Sequence, residues 1–115
     1  MTYILIHHAG CSTSRKGLAL LQENGIEPEI RKYMNAGEKL SEDDLKDIAK
    51  KMGGVSPRAF LREKDAIKFE LPETASDADV FAAMVDNPRL IQRPIGIKGD
   101  KAVVGRPNEK LLEIA

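Results

Sequence analysis

The sequence predicts an α/β fold: a mixed sheet built from an N-terminal β-α-β unit and a C-terminal β-β-α unit, with a helical insertion between the two halves. Three observations carry this reading. A run of β-formers from Tyr3 to His7 is followed by a polar turn and a helical pattern. The stretch from about 37 to 88 carries helix starts and stops but no strand signature. Gly99-Asp100 then sits between two short apolar runs, as in a two-residue hairpin.

Each element follows in order. Tyr3 to His7 reads as a buried first strand, and Ala9-Gly10-Cys11-Ser12-Thr13 as the turn after it. Leu18, Leu21 and Gln22 carry a helix that stops at Asn24-Gly25. Pro28 to Tyr33 alternates Ile30 against Glu29 and Arg31, a second strand reached by a right-handed crossover. Ser41-Glu42-Asp43-Asp44 has capping-box spacing, with Leu45, Ile48 and Met52 behind it and Gly53-Gly54 closing the helix. A further helix is expected near Ser56-Pro57, and another from Ser76 through Val80, Phe81, Met84 and Val85 to Asn87-Pro88. Gln92 to Ile97 and Ala102 to Val104 are the last strands, and Arg106-Pro107-Asn108 opens a final helix with Leu111, Leu112 and Ile114. This order is that of a thioredoxin-like domain with an insertion, and 115 residues fit one such domain, 1–115.

Composition narrows the function classes. The chain is 42% hydrophobic and 31% charged, as folded proteins are, and its apolar runs are too short to span a membrane. Lys+Arg and Asp+Glu are equal at 18 each, so no general affinity for nucleic acid or for an anionic membrane is indicated. The N-terminal residues do not read as a signal peptide, and a single cysteine allows no internal disulfide, so a reducing cytoplasm is the expected compartment.

That cysteine, Cys11, falls between the first strand and the first helix. Unpaired backbone N–H groups at a helix N-terminus favour negative charge, so a thiolate there becomes available near neutral pH. Ser12, Thr13 and Ser14 add hydroxyls that can cap the helix, bond the thiolate or hold an oxyanion, and Arg15 adds positive charge. The plainer alternative, an inert small residue, suits a cysteine on an apolar face better than one in a Gly/Ser/Thr turn. His7, by inward alternation, is a candidate to stabilise the thiolate; a half-buried histidine with an ordinary partner is the alternative. One cysteine and two adjacent histidines do not make a four-ligand zinc site, so no metal is expected.

Arg62 ends Arg58-Ala59-Phe60-Leu61-Arg62 in the insertion, Arg93 precedes Pro94 at the start of the third strand, and Arg106 precedes Pro107 at the end of the fourth. The start of strand three and the turn after strand one approach each other in this layout. A guanidinium fork suits a tetrahedral oxyanion better than an ammonium does. Any one of these arginines, taken alone, reads better as a solvated surface charge; Arg31, Arg58 and Arg89 are placed on solvated surface.

Taken together, these motifs resemble the glutaredoxin-dependent arsenate reductase family. The family's His-Asn-Pro-x-Cys-x-x-Ser-Arg is matched by His7-His8-Ala9-Gly10-Cys11-Ser12-Thr13-Ser14-Arg15. Gly25-Ile26-Glu27-Pro28, Ala59-Phe60-Leu61-Arg62, Arg93-Pro94-Ile95 and Gly105-Arg106-Pro107-Asn108-Glu109 follow in register over essentially the whole chain. One departure stands out: the family's Asn-Pro is His8-Ala9 here.

The resemblance implies that Cys11 is the nucleophile, that His7 and Ser14 stabilise its thiolate, and that Arg62, Arg93 and Arg106 bind the oxyanion. It implies arsenate as substrate, glutathione as co-substrate and glutaredoxin as partner, with no tightly bound cofactor. Pro94 falls where such folds place a cis-proline facing the cysteine. Two other readings share the fold. Related regulators bind RNA polymerase without catalysis, although they are not expected to keep the arginine trio. A glutathione-linked thiol transferase would fit Cys11-Ser12-Thr13-Ser14, but not the long helical insertion.

Overall fold

Period-two alternation in the first strand sets the layering. The computed structural model describes residues 2–115. β1 (Tyr3–Ile6) sends Tyr3 and Leu5 to one face of the sheet and Ile4 and Ile6 to the other. It pairs in parallel with β2 (Glu29–Arg31) and antiparallel with β3 (Ile95–Lys98), which pairs antiparallel with β4 (Lys101–Val104). The resulting order, β2-β1-β3-β4, is a thioredoxin-like mixed sheet. Lys98 stands opposite Lys101, so Gly99 and Asp100 form the turn, with Gly99 at a φ of 62°.

α1 (Ser12–Glu23) and the C-terminal segment cover one face. Leu21 and Leu111 are fully buried there against Tyr3 and Leu5, and Tyr3 Oη donates to the Leu111 carbonyl at 2.7 Å. The insertion covers the other face with α2 (Glu42–Lys51), α3 (Glu63–Lys68) and α4 (Asp77–Asp86). Leu45, Ile48, Phe60, Val80 and Met84 pack there on Ile6, Ile95 and Ile97. The capping box closes as its spacing predicts: Asp44 N–H donates to Ser41 Oγ at 3.1 Å and Ser41 N–H to Asp44 Oδ2 at 2.9 Å. Among the described residues, no helix is long and apolar enough to cross a membrane.

Four details differ from the sequence reading. The helix expected at Ser56-Pro57 is a single 3₁₀ turn, Pro57–Phe60, after which Leu61 turns extended and bridges Ile91. α3 was not anticipated: its buried residue is Ala66, while Ile67 and the following Phe69 face solvent, so no apolar period marks it. β3 begins at Ile95 rather than Gln92, because Pro94 has no N–H for the ladder and Gln92 N–H goes instead to the Phe60 carbonyl at 2.8 Å. The final helix, Asn108–Ile114, is 3₁₀, and its three-residue period aligns Leu111 with Ile114 toward α1.

Candidate active site

Strand pairing gathers the site at one edge of the sheet. Ile6, the last residue of β1, lies beside Arg31 on one side and Ile95 on the other. The loop after β1 is therefore flanked by the chain leaving β2 and by Arg93-Pro94 entering β3. Gly105 N–H donates to the Pro94 carbonyl at 2.8 Å and sets Arg106 next to Arg93. The Leu61–Ile91 bridge, with Arg62 N–H on the Leu90 carbonyl at 2.7 Å, carries the insertion's arginine to the same place. The Arg93-Pro94 bond is cis, as the resemblance implied; Arg106-Pro107 is cis as well.

Cys11 is the N-cap residue of α1 and is partly exposed. Its N–H donates to the His8 carbonyl at 3.0 Å, closing the loop into a tight turn, and Arg15 Nη1 clasps the Ala9 carbonyl at 2.7 Å. Burial pushes the thiol pKa up, but the backbone N–H groups of Ser14 and Thr13 and the Arg93 side chain outweigh it and hold the thiol below its ordinary value. Arg106 Nη2 stands 3.8 Å from Sγ.

Arg93 is 8% exposed. Its Nη1 donates to the carbonyls of Arg89 and Ile91 at 3.2 and 3.4 Å, while its Nε is buried with no partner. Among the described residues, neither Arg93 nor Arg106 forms an ion pair. Beyond the Cys11 sulfur, the buried Arg93 guanidinium has no anionic partner among the described residues; an incompletely paired buried charge is costly unless an anion completes it, so the arrangement is suited to an oxyanion in front of the sulfur. Arg62 stands at the N-cap position of α3, and its side chain is tied to Asp65 at 3.3 Å; its charge reaches His8 and Tyr33.

The other predicted site residues lie close by. His7 is buried, and its Nδ1 is 2.7 Å from Ser14 Oγ, which also accepts the His8 N–H at 3.1 Å. Burial, with the charges of His8, Lys32 and Arg15, holds the His7 pKa below its ordinary value. A neutral ring braces Ser14, whose own N–H faces the sulfur; an imidazolium charge at the thiolate is not what this geometry provides.

Several residues of the site were missed. Tyr33 is fully buried among the charges of Arg93, Arg62 and Cys11, its phenol pKa raised by burial. Asn108 Nδ2 donates to the carbonyls of Thr13 and Gly105 at 3.1 and 3.0 Å, tying α1 to the Arg106 turn. Asp65 holds Arg62. Only Asn108 had a signal in the sequence, its place directly after Arg106-Pro107. Two of the arginines read as solvated are not. Arg31 donates to the carbonyls of Glu38 and Lys39 and pairs with Asp44, and Arg58 donates to the carbonyls of Pro72 and Ala75. Each side chain stitches loop carbonyls of the insertion, and the Pro72 carbonyl also accepts the Ala75 N–H at 3.0 Å. Arg89 is exposed as expected, yet its charge reaches His8.

Residues 6–114 match the ArsC family. The chain belongs to that family. It is 42% identical over 117 aligned residues to a protein of Haemophilus influenzae named arsenate reductase, covering 99% of each chain. It is 40% identical to YfgD of Escherichia coli, named as uncharacterized, over 96% of this chain and 93% of that one. Among solved structures, an arsenate reductase from Vibrio cholerae superposes with a TM-score of 0.90 at 38% identity, covering 100% of this chain and 98% of that one. These ArsC relatives match along nearly their whole length, so the cysteine loop, the insertion and the Arg106 turn all lie inside the family's common frame.

Proposed function

We propose that this ArsC-family chain reduces arsenate to arsenite, with Cys11 as nucleophile, Arg62, Arg93 and Arg106 as the oxyanion clamp, and His7 and Ser14 bracing the thiolate. The observation that carries this reading is Arg93: a buried guanidinium with an unpartnered Nε, beside a sulfur whose pKa is lowered. Relatives named arsenate reductase at about 40% identity over nearly the whole chain support it.

The chemistry follows from these parts. The thiolate attacks arsenic(V), a sulfur–arsenic bond forms, and one oxygen departs as water. The guanidiniums hold the remaining oxygens and stabilise the charge that builds up on them. The chain has a single cysteine, so the two electrons come from external thiols. Glutathione attacks the adduct, its sulfur displacing a second oxygen as water; the glutaredoxin thiolate then takes the glutathionyl group as a mixed disulfide, leaving the electron pair on arsenic, and water cleaves the remaining sulfur–arsenic bond. Arsenic leaves as arsenite and Cys11 returns as thiolate; in sum, arsenate and two thiols give arsenite, one disulfide and water. Reduced glutathione and glutaredoxin set the reaction in the cytoplasm. No metal or tightly bound cofactor takes part.

The test is arsenate-dependent NADPH oxidation, coupled through glutathione reductase with glutathione and glutaredoxin present. Turnover that disappears in Cys11→Ser supports the reading. Absence of arsenate-dependent turnover in the folded wild-type chain overturns it and leaves the partner-binding regulator as the better account.

A further inference from the structure

The loop residue that departs from the family pattern, His8, has no role in the scheme above, yet it sits at the mouth of the site. The Cε1–Nε2 edge of its ring lies against Gly10: a methyl at that glycine would fall 3.1 Å from both atoms. Its backbone is fixed at both ends, the N–H on Ser14 Oγ and the carbonyl under the Cys11 N–H. The ring is therefore held beside the sulfur's loop and on the side of the arginines.

Charged groups face this ring from every neighbouring element. Arg93 before β3, Arg89 in the 3₁₀ turn Pro88–Leu90 and Arg62 at the start of α3 all act on it; Arg62 alone has a carboxylate partner, Asp65. His7 on its own loop is coupled to it, and Cys11 and Arg15 close the loop on the α1 side. Burial and the three arginine charges hold the free protein's imidazole neutral to lower pH than usual.

Attack by sulfur has a proton demand these neighbours do not meet. To yield the singly protonated adduct, RS–AsO3H−, and water, a thiolate and hydrogen arsenate need two protons, and a thiolate and dihydrogen arsenate need one. Guanidiniums do not give protons up at neutral pH. His7 is buried and engaged with Ser14. An anion held by the clamp of Arg62, Arg93 and Arg106 offsets the Arg62 and Arg93 charges that help keep the His8 ring neutral, so binding and protonation favour each other.

We propose that His8 is the proton carrier of this site: it bonds the bound oxyanion beside the arginines, takes up a proton as the anion enters, and gives it to the oxygen that departs when Cys11 attacks. The imidazolium loses one proton to that oxygen and returns to imidazole. The sulfur–arsenic bond forms, the arsenic–oxygen bond breaks, and solvent supplies the second proton where hydrogen arsenate is the reactant. This rests on the oxyanion reading above.

The experiment uses the full-length Cys11→Ser chain, in which chemistry cannot proceed, with inorganic phosphate and arsenate as probes. The His8 Cε1–H resonance, assigned against His8→Asn, is titrated with pH with and without saturating anion, and proton uptake is measured by calorimetry in two buffers of different ionisation enthalpy. The expected result is an upward shift of the His8 midpoint by one pH unit or more on saturation. Net proton uptake should vanish in His8→Asn while the anion still binds. In the otherwise wild-type chain, His8→Asn should lower kcat for arsenate on the order of 100-fold, as loss of a proton-transfer group does, with KM much less affected. Anion binding with an unmoved His8 midpoint, or an unchanged kcat in His8→Asn, overturns the proposal and leaves the oxyanion site standing. Failure of either anion to bind overturns both. A shifted His8 without arsenate turnover leaves the proton coupling standing and removes the reductase reading.

Discussion

Arg106 donates from Nε to the carbonyl of Arg93 at 3.1 Å, while its Nη2 faces the Cys11 sulfur at 3.8 Å. One planar group thus fixes the backbone of the next arginine and touches the nucleophile. Arg106→Lys keeps the charge and loses the fork, so it is expected to raise the thiol pKa and lower kcat/KM for arsenate. Arg106→Ala is expected to cost more, on the order of 2–4 kcal/mol of transition-state stabilisation. The pH dependence of iodoacetamide alkylation and steady-state kinetics together read this. An unmoved alkylation midpoint in Arg106→Ala would remove the contact from the account of thiol activation.

Wild-type Cys11 itself is expected to alkylate with a midpoint below the free-thiol value near 8.5, because the helix N–H groups and Arg93 favour the thiolate. A midpoint at or above that value would contradict the site's electrostatics, whatever the substrate.

Arg31 and Arg58 are expected to behave in the opposite way. Their guanidiniums hold loop carbonyls of the insertion, and neither is among the groups acting on the Cys11 thiol, so alanine at either should lower stability by about 0.5–1.5 kcal/mol per hydrogen bond lost. The alkylation midpoint should stay where it is. Melting curves and alkylation rates on the same preparations separate the two classes; a thiol that shifts in Arg58→Ala would break the distinction.

Gly17 of α1 is packed against Pro94 so closely that a methyl there would lie 2.8 Å from Pro94 Cγ and 3.0 Å from Leu111 Cδ1. Alanine favours a helix over glycine by about 1 kcal/mol, yet overpacking of a tight contact costs about 1–3 kcal/mol. Gly17→Ala is therefore expected to be neutral to destabilising, and to disturb Arg93 through its proline. Denaturant unfolding measures the first effect and the alkylation midpoint the second. A clear gain in stability would show that the α1–Pro94 contact yields easily.

The two histidines set an acid limit. Burial first, then neighbouring positive charge, holds both below the ordinary value of 6.5. The unfolded chain then binds more protons than the folded one below that pH. Their contribution is complete above about 6.5 and is lost as the pH falls through the folded values. Melting temperature should decline from pH 7 to pH 5, and less steeply in His7→Gln. Parallel profiles for the two chains would assign the acid loss to other groups.

Much of this arrangement could be read in the residues before any coordinates. The Gly99-Asp100 turn, the Ser41 capping box and the place of Cys11 each depend on a few neighbouring residues, and all three appear where the local chemistry puts them. Arg62, Arg93 and Arg106 were legible as a set only through their resemblance to a family. What stayed hidden rests on contacts distant in sequence. α3 buries too little to leave a period, Tyr33 matters because Arg93 arrives above it, and Arg58 looked like surface because its carbonyl partners lie 14 and 17 residues on. His8 was visible as a departure from the motif, but the ring's place against Gly10 was not.

The contacts that finish the site are nearly as long in sequence as the chain itself. Cys11 meets Arg106, and Thr13 meets Asn108, across 95 residues each, and Tyr3 meets Leu111 across 108. During synthesis the cysteine is therefore made long before the residues that complete its surroundings. α1 can form early from local contacts, whereas the β3–β4 pairing and the Arg106 turn must wait until the chain has been made through Arg106. Until then Cys11 lacks Arg93 and Arg106, two of the groups that make it unlike a solvent thiol. The reactivity of this cysteine is thus acquired only once the chain has been made through Arg106, and a nascent or truncated chain that stops short of it carries the sulfur without its complete chemistry.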